Sequence, residues 1–223
     1  MSIQHSWITQ STGQLWALNS AVDLISSEIW DNQLPYGAVL ELTYDTIPNG
    51  VIAANVRDTR IYGNQLTRGS SAMKLVNNTA DGQVKLSLIG TLFSGQTGPD
   101  LEIVTDGPVQ GDVLCNAFSG GTNGVSVRTE HAPPTLELGL NIHSNVIEKH
   151  MPPNNPVYQK LKIGRGATSD LTLDMTGNWW GNPTGPYAPD RNATGLGDAV
   201  GTNIAFANWQ VERPGCAPQL LEP

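Results

Sequence analysis

Leu136-Glu-Leu-Gly-Leu-Asn-Ile-His-Ser-Asn-Val-Ile147 carries the repeating unit of this chain. Leu136, Leu138, Leu140 and Ile142 alternate with other residues, the period of a strand with one buried face. The strand runs into an apolar-x-x-Asn-x-apolar corner, here Ile142, Asn145 and Ile147. The same form recurs at Ile29…Asn32…Leu34, Ile61…Asn64…Leu66, Leu88…Thr91…Phe93, Val113…Asn116…Phe118 and Met175…Asn178…Trp180, with Thr91 replacing Asn once. The spacing between motifs varies, so loops of different length hang on one repeated frame.

A second apolar-x-apolar signal follows the first five motifs. It reads Leu40/Leu42, Met73/Leu75, Leu101/Ile103, Val125/Val127 and Leu161/Ile163. Each unit therefore offers at least two short strands around an Asn corner. The residue before the Asn is small in most units (Gly63, Gly90, Cys115, Ser144, Gly177), with Asp31 the exception. A tight turn explains both choices, because Asn tolerates the left-handed conformation and small residues leave room. These features predict an all-β, right-handed parallel β-helix of about six coils, with apolar columns inside. Asn32, Asn64, Asn116, Asn145 and Asn178 would form a structural amide ladder along one corner. Leucine-rich repeats, the competing solenoid, need a Leu spacing that is absent here.

Leu15, Leu18, Ala21, Val22 and Ile25 fall at helix-like spacing, which predicts a short capping helix within 14–25. The expected organisation is a lead-in or cap over 1–25, coils over 26–182 and an irregular cap or tail over 183–223, rich in Pro, Gly and Asn. Cys115 reads as a buried free thiol in the small-residue column. A bridge to Cys216 would require the tail to return to the fourth coil.

Gly177-Asn-Trp-Trp-Gly-Asn-Pro-Thr-Gly-Pro186, followed by Gly195-Leu-Gly-Asp-Ala-Val200 and by Ile204, Phe206 and Trp209, resembles the C-terminal signature of the pectate-lyase-like β-helix superfamily. More narrowly it is similar to the extracellular and cell-surface β-helix repeat proteins of bacteria and archaea. The chain departs from that pattern at Ala207-Asn208, where Pro commonly precedes the Trp. The resemblance implies an extracellular or cell-surface location. It also implies a superfamily that holds lyases, hydrolases, epimerases, phage spikes and inert stalks, so it speaks to architecture more than to activity.

Charge narrows the partners. Lys and Arg number 12 against 20 Asp and Glu, a formal charge of −8, and there is no basic run. Such a surface repels phosphate backbones, which argues against nucleic acid. No apolar stretch is long enough to span a membrane, and no signal peptide is legible after Met1. Oligomers or end-to-end stacking of coils remain open to a solenoid of this kind.

Stacked coils allow outward residues to be read as columns. Four residues before the Asn stand Glu28, Arg60, Ser87, Asp112, Asn141 and Asp174. Asp112 and Asp174, two coils apart, lie at ~9–10 Å by strand spacing, near the separation of an inverting glycosidase pair. One acid would protonate the leaving oxygen and the other activate water, with Arg60 as charge stabiliser. Two residues before the Asn stand Trp30, Tyr62, Ile89, Leu114, His143 and Thr176. Here Trp30, Tyr62 and His143 are candidates for carbohydrate contact. A third column, Glu41, Lys74, Glu102, Ser126 and Lys162, reads as a solvated salt-bridge stripe.

Calcium, which pectate-lyase relatives often use, needs several converging oxygens. The acidic residues do not supply them in sequence, so no metal site and no cofactor is assigned. The motifs of polygalacturonase-like hydrolases and of pectate lyases are missing. The expected function is a non-catalytic extracellular or cell-surface structural or adhesion module that contacts polysaccharide or a cell-surface glycan. The alternative is a polysaccharide-active hydrolase, lyase or epimerase built on the acidic pair.

Overall fold

The computed structural model describes residues 1–47, 50–67, 70–128, 138–150, 165–166, 172–201 and 203–220. Three six-stranded parallel sheets wind into a β-solenoid of about five turns, with essentially no helix among the described residues. The first sheet holds Ser2–Gln4, Val22–Ile25, Val51–Arg57, Gln83–Ile89, Val109–Leu114 and Leu138–His143. The second holds Trp7–Thr9, Glu28–Trp30, Arg60–Tyr62, Leu92–Ser94, Ala117–Ser119 and Val146–Glu148. The third holds Leu15–Leu18, Ala38–Tyr44, Ser71–Asn77, Leu101–Thr105, Val125–Arg128 and Arg165–Gly166.

Period-two alternation sets the core. In the second sheet Ile29, Ile61, Phe93, Phe118, Ile147 and then Trp180 point inward and are fully buried. Phe93 and Phe118 stack at 5.0 Å. In the third sheet Leu40, Met73, Leu101 and Val125 are successive partners in register, as are Leu42, Leu75, Ile103 and Val127. Leu161, Lys162 and Ile163, like Leu136, lie outside the described residues.

Residues 14–25 are strands, Leu15–Leu18 and Val22–Ile25, and not the predicted capping helix. Ala17 pairs with Leu42 and Leu24 with Val56, so this segment continues the core columns. Between the two strands Asn19 takes a left-handed φ of 48°, which no helix accommodates. Its side-chain oxygen accepts from the backbone N–H groups of Asp45 and Thr46 at 2.7 and 2.9 Å.

The Asn motifs do not share one corner. Each coil carries two corners, on either side of the short second-sheet strand. At the first, Ser26, Asp58, Gly90, Cys115, Ser144 and Gly177 are left-handed, and Ser27, Thr59, Thr91, Asn116, Asn145 and Asn178 follow them. At the second, Asp31, Gly63, Gly95, Gly120 and Lys149 are left-handed, followed by Asn32, Asn64, Gln96, Gly121 and His150. The left-handed residue is thus the one before the Asn, not the Asn itself. The sequence motif follows the second corner for two turns and the first corner thereafter.

Asn145 shows what the corner residue does. Its side-chain oxygen accepts from the backbone N–H and the amide of Asn116 at 2.9 and 3.0 Å, and its own amide donates to Asn178 Oδ1 at 3.0 Å and to Val113 O at 2.7 Å. Asn32 and Asn64 make the equivalent bond at the second corner, 2.9 Å. Gln96 extends that second ladder by accepting from Asn64 N–H at 3.2 Å and donating to Ile61 O at 2.5 Å. Buried corners need such partners because water cannot supply them.

The C-terminal segment closes one end and then returns along the outside. Arg191 donates to Ile204 O and Gly201 O and lies 4.5 Å over the Phe206 ring. Further on, Ala217 and Leu220 pack on Leu92, Ala117 and Val146, outward apolar residues of the second sheet, and on Trp179, which bridges to Val146. Cys115 is not a free thiol: it is bonded to Cys216, with Cα atoms 5.3 Å apart and 101 residues between them in sequence. The tail does return to the fourth coil, guided by the apolar strip beneath it and by Arg213, which pairs with Glu148 at 3.4 Å.

Candidate functional site

The outward residues of the second sheet define the face with the most unusual surface chemistry. Trp7, Glu28 and Arg60 share one column, and Thr9, Trp30, Tyr62 and Ser94 the next. Trp7 is 79% exposed. The Trp30 and Tyr62 rings are parallel within 3°, with centroids 5.8 Å apart. Their neighbours along the column, Thr9 and Ser94, are small, so the ring faces at both ends of the pair lack an aromatic neighbour. Beside them Arg60 meets Glu28 at 3.4 Å. The Tyr62 hydroxyl is held above its usual pKa by partial desolvation and by Glu28, against the opposing pull of Arg60.

Next to this pair the second corner opens into a groove. A cleft of about 710 Å³ runs over Leu34, Pro35 and Leu66, with Gln33, Gln65 and Thr67 among its polar lining. A smaller recess of about 360 Å³, lined by Gln10, Asp31 and Gln33, adjoins it on the side of Thr9 and Trp30. Gln33 and Gln65 are register partners in adjacent coils and both are exposed.

The sequence-predicted residues do not gather at one place. His143 is in the first sheet, exposed, with Nδ1 3.3 Å from Ser144 Oγ, and pairs with Leu114 and not with the second-sheet aromatics. The aromatic column therefore ends with Tyr62 and does not continue through Ile89 and Leu114. Asp112 lies in a first-sheet column of Asp23, Asn55, Ser87, Asp112 and Asn141. Its Oδ1 accepts from Asn141 Nδ2 at 2.9 Å, just as Asp23 accepts from Asn55 at 2.7 Å. Asp174 Oδ1 accepts from Thr176 N–H at 2.9 Å. Arg60 is on a different sheet, so the pair and its proposed charge stabiliser are not brought together. The Glu41–Lys74–Glu102–Ser126 column is in register, and Glu102 pairs with Lys74 at 3.9 Å and Arg128 at 2.9 Å. Among the described residues no group of three His, Cys, Asp or Glu could hold a metal ion.

A buried ionic cluster went unnoticed in the sequence. His150 sits at the second-corner position equivalent to Asn32, Asn64 and Gln96. Its Nδ1 lies 2.5 Å from Asp198 Oδ2 and its Nε2 3.0 Å from Asp100 Oδ2. His150 and Asp100 are fully buried. Gly121, one coil before His150, makes the space: a Cβ there would come within 2.7 Å of Asp100 Oδ1. The two carboxylates outweigh the burial that disfavours a charged imidazole and push His150 up to about 9. Burial pushes Asp100 up to about 6 against the lowering effect of His150. The cluster ties two coils two turns apart, those of Asp100 and His150, to Asp198 in the C-terminal cap, and its enclosure makes it a clamp. The signal available in sequence was the five-residue step between the two corners, which places His150 after Asn145 as it places Gln96 after Thr91.

Comparison of the chain with protein-family models, curated proteins and solved structures finds no match. No helix among the described residues is long and apolar enough to cross a membrane.

Proposed function

We propose that this protein is a non-catalytic β-helix module of the extracellular or cell-surface type, similar to the pectate-lyase-like repeat proteins, that contacts carbohydrate through Trp30 and Tyr62. The observation that carries the reading is the parallel Trp30–Tyr62 pair, left uncovered by the described tail and flanked by Thr9 and Ser94. Aromatic faces offer sugar C–H groups a large apolar contact while polar rims orient the hydroxyls. The Cys115–Cys216 bridge supports an oxidising compartment, where disulfides persist. The separation of Arg60 from Asp112 and Asp174 favours binding over turnover.

The test is retention on immobilised plant and microbial polysaccharides, with Trp30→Ala and Tyr62→Ala beside the unmodified protein. At least tenfold weaker retention of Trp30→Ala, with unchanged circular dichroism, is expected. Equal retention of all three proteins would remove the aromatic pair from the function. Turnover that disappears in Asp112→Asn would overturn the non-catalytic reading.

A further inference from the structure

We infer that the groove over Leu34, Pro35 and Leu66 binds an uncharged glycan chain laid along the solenoid axis, parallel to the Trp30–Tyr62 column. This inference rests on the carbohydrate reading above and adds a second contact region and a ligand class.

Three observations lead there. The floor is apolar, an exposed Pro35 ring over the buried Leu34 and Leu66, and the rim is amide and hydroxyl. That mixture suits pyranose rings, which present C–H patches and hydroxyl edges together. Gln33 and Gln65 then repeat the same donor-and-acceptor group one coil apart. A side-chain amide both donates and accepts, so the two can grip successive units of a polymer whose step is close to one coil, ~4.8 Å. Finally, the chain carries a net charge of −8, Asp31 borders the recess, and Arg60 is already engaged by Glu28. Among the described residues no Lys or Arg lines the groove. Among the described residues an acidic polymer would meet like charge without compensation. Arg68, next in the chain after Thr67, lies outside the described residues and is included in the test.

Affinity electrophoresis with hydroxyethyl cellulose, galactomannan and polygalacturonate in the gel separates the outcomes. The proteins are the unmodified chain, Trp30→Ala, the double variant Gln33→Ala/Gln65→Ala, and Arg68→Ala. Both glutamines are exposed, so the double variant keeps the fold. Retardation by a neutral polymer, weakened about tenfold or more in the double variant and unchanged in Arg68→Ala, is expected. Retardation lost in Trp30→Ala but unchanged in the double variant would overturn the groove and leave the aromatic contact standing. Retardation by polygalacturonate alone, lost in Arg68→Ala, would overturn the uncharged class. No retardation by any polymer would overturn both readings.

Discussion

Raising the pH should loosen this protein through one buried imidazole. His150 ordinarily titrates near 6.5 and is held up to about 9 by Asp100 and Asp198. A group whose folded pKa is raised contributes stability that is complete below its unfolded pKa and is lost as the pH climbs through the folded one. The window is therefore roughly pH 6.5 to 9. At about 1.4 kcal/mol per unit, the loss is on the order of 3 kcal/mol. Asp100, raised to about 6, works in the same direction at lower pH. As the solution becomes less acidic, Asp100 gives up its proton first and His150 later, so the buried pair becomes progressively more negative. Urea unfolding at intervals from pH 5 to 9.5, with the disulfide kept oxidised, reads this directly. In His150→Gln the slope between pH 7 and 9 should flatten. At neutral pH the same variant should lose ~3–5 kcal/mol, the usual cost of breaking a buried pair. A second substitution, Asp100→Asn, should restore part of that by removing an orphaned charge. Equal slopes in the unmodified protein and His150→Gln would refute the assignment of charge to this imidazole.

Two further substitutions probe the frame. Asn145→Ala removes the acceptor for two donors of Asn116 and the donor to Val113 O, all buried, and should cost about 2–5 kcal/mol from groups left unsatisfied; thermal melting would show it, and a loss below 1 kcal/mol would mean the ladder is redundant with the strand bonds. Paired Cys115→Ser and Cys216→Ser should lower stability by up to ~5 kcal/mol, the entropic limit for a loop of about 100 residues. They should also make the segment near Cys216 the first site of limited proteolysis, and a cleavage pattern identical to the bridged protein would show that packing on Leu92 and Val146 alone retains the tail.

Much of the solenoid was legible because its cause is local. Leu40, Leu42, Met73, Leu75, Leu101 and Ile103 alternate with polar residues, and alternation is written into consecutive positions. The stacking order of corners is a different kind of information, since it depends on how many residues each loop consumes. Separations between stacked corner residues run 21, 32, 25, 29 and 33 residues, so a motif search has no fixed period to hold it in register. It moved from the second corner at Asn64 to the first at Thr91 because Asn happens to serve both. Gln96 and His150 escaped notice for the complementary reason: they fill a corner with other chemistry. Residues 14–25 misled because Leu15, Leu18, Val22 and Ile25 suit a helix period as well as two strands broken at Asn19. The disulfide depended on where a Pro- and Gly-rich tail comes to rest, a question of tertiary packing with no local signature.

The candidate face follows from the same logic. One outward column of the second sheet runs Trp7, Glu28, Arg60, Leu92, Ala117 and Val146. Its later members are apolar and fully buried beneath Ala217 and Leu220, while its earlier ones are charged or aromatic and meet solvent. A sheet face needs a cover only where it is apolar, so the composition of this column divides it into a part that holds the tail and a part that does not. Trp7 falls in the second part, and Trp30 and Tyr62 lie beside it in the next column. Large aromatics there gain nothing from the core, whose inward positions Ile8, Ile29 and Ile61 already fill, and a stacked ring pair with no aromatic neighbour at either end is what a ligand would complete. That is why the aromatic pair, and not the amide-tethered acids of the first sheet, carries the functional reading.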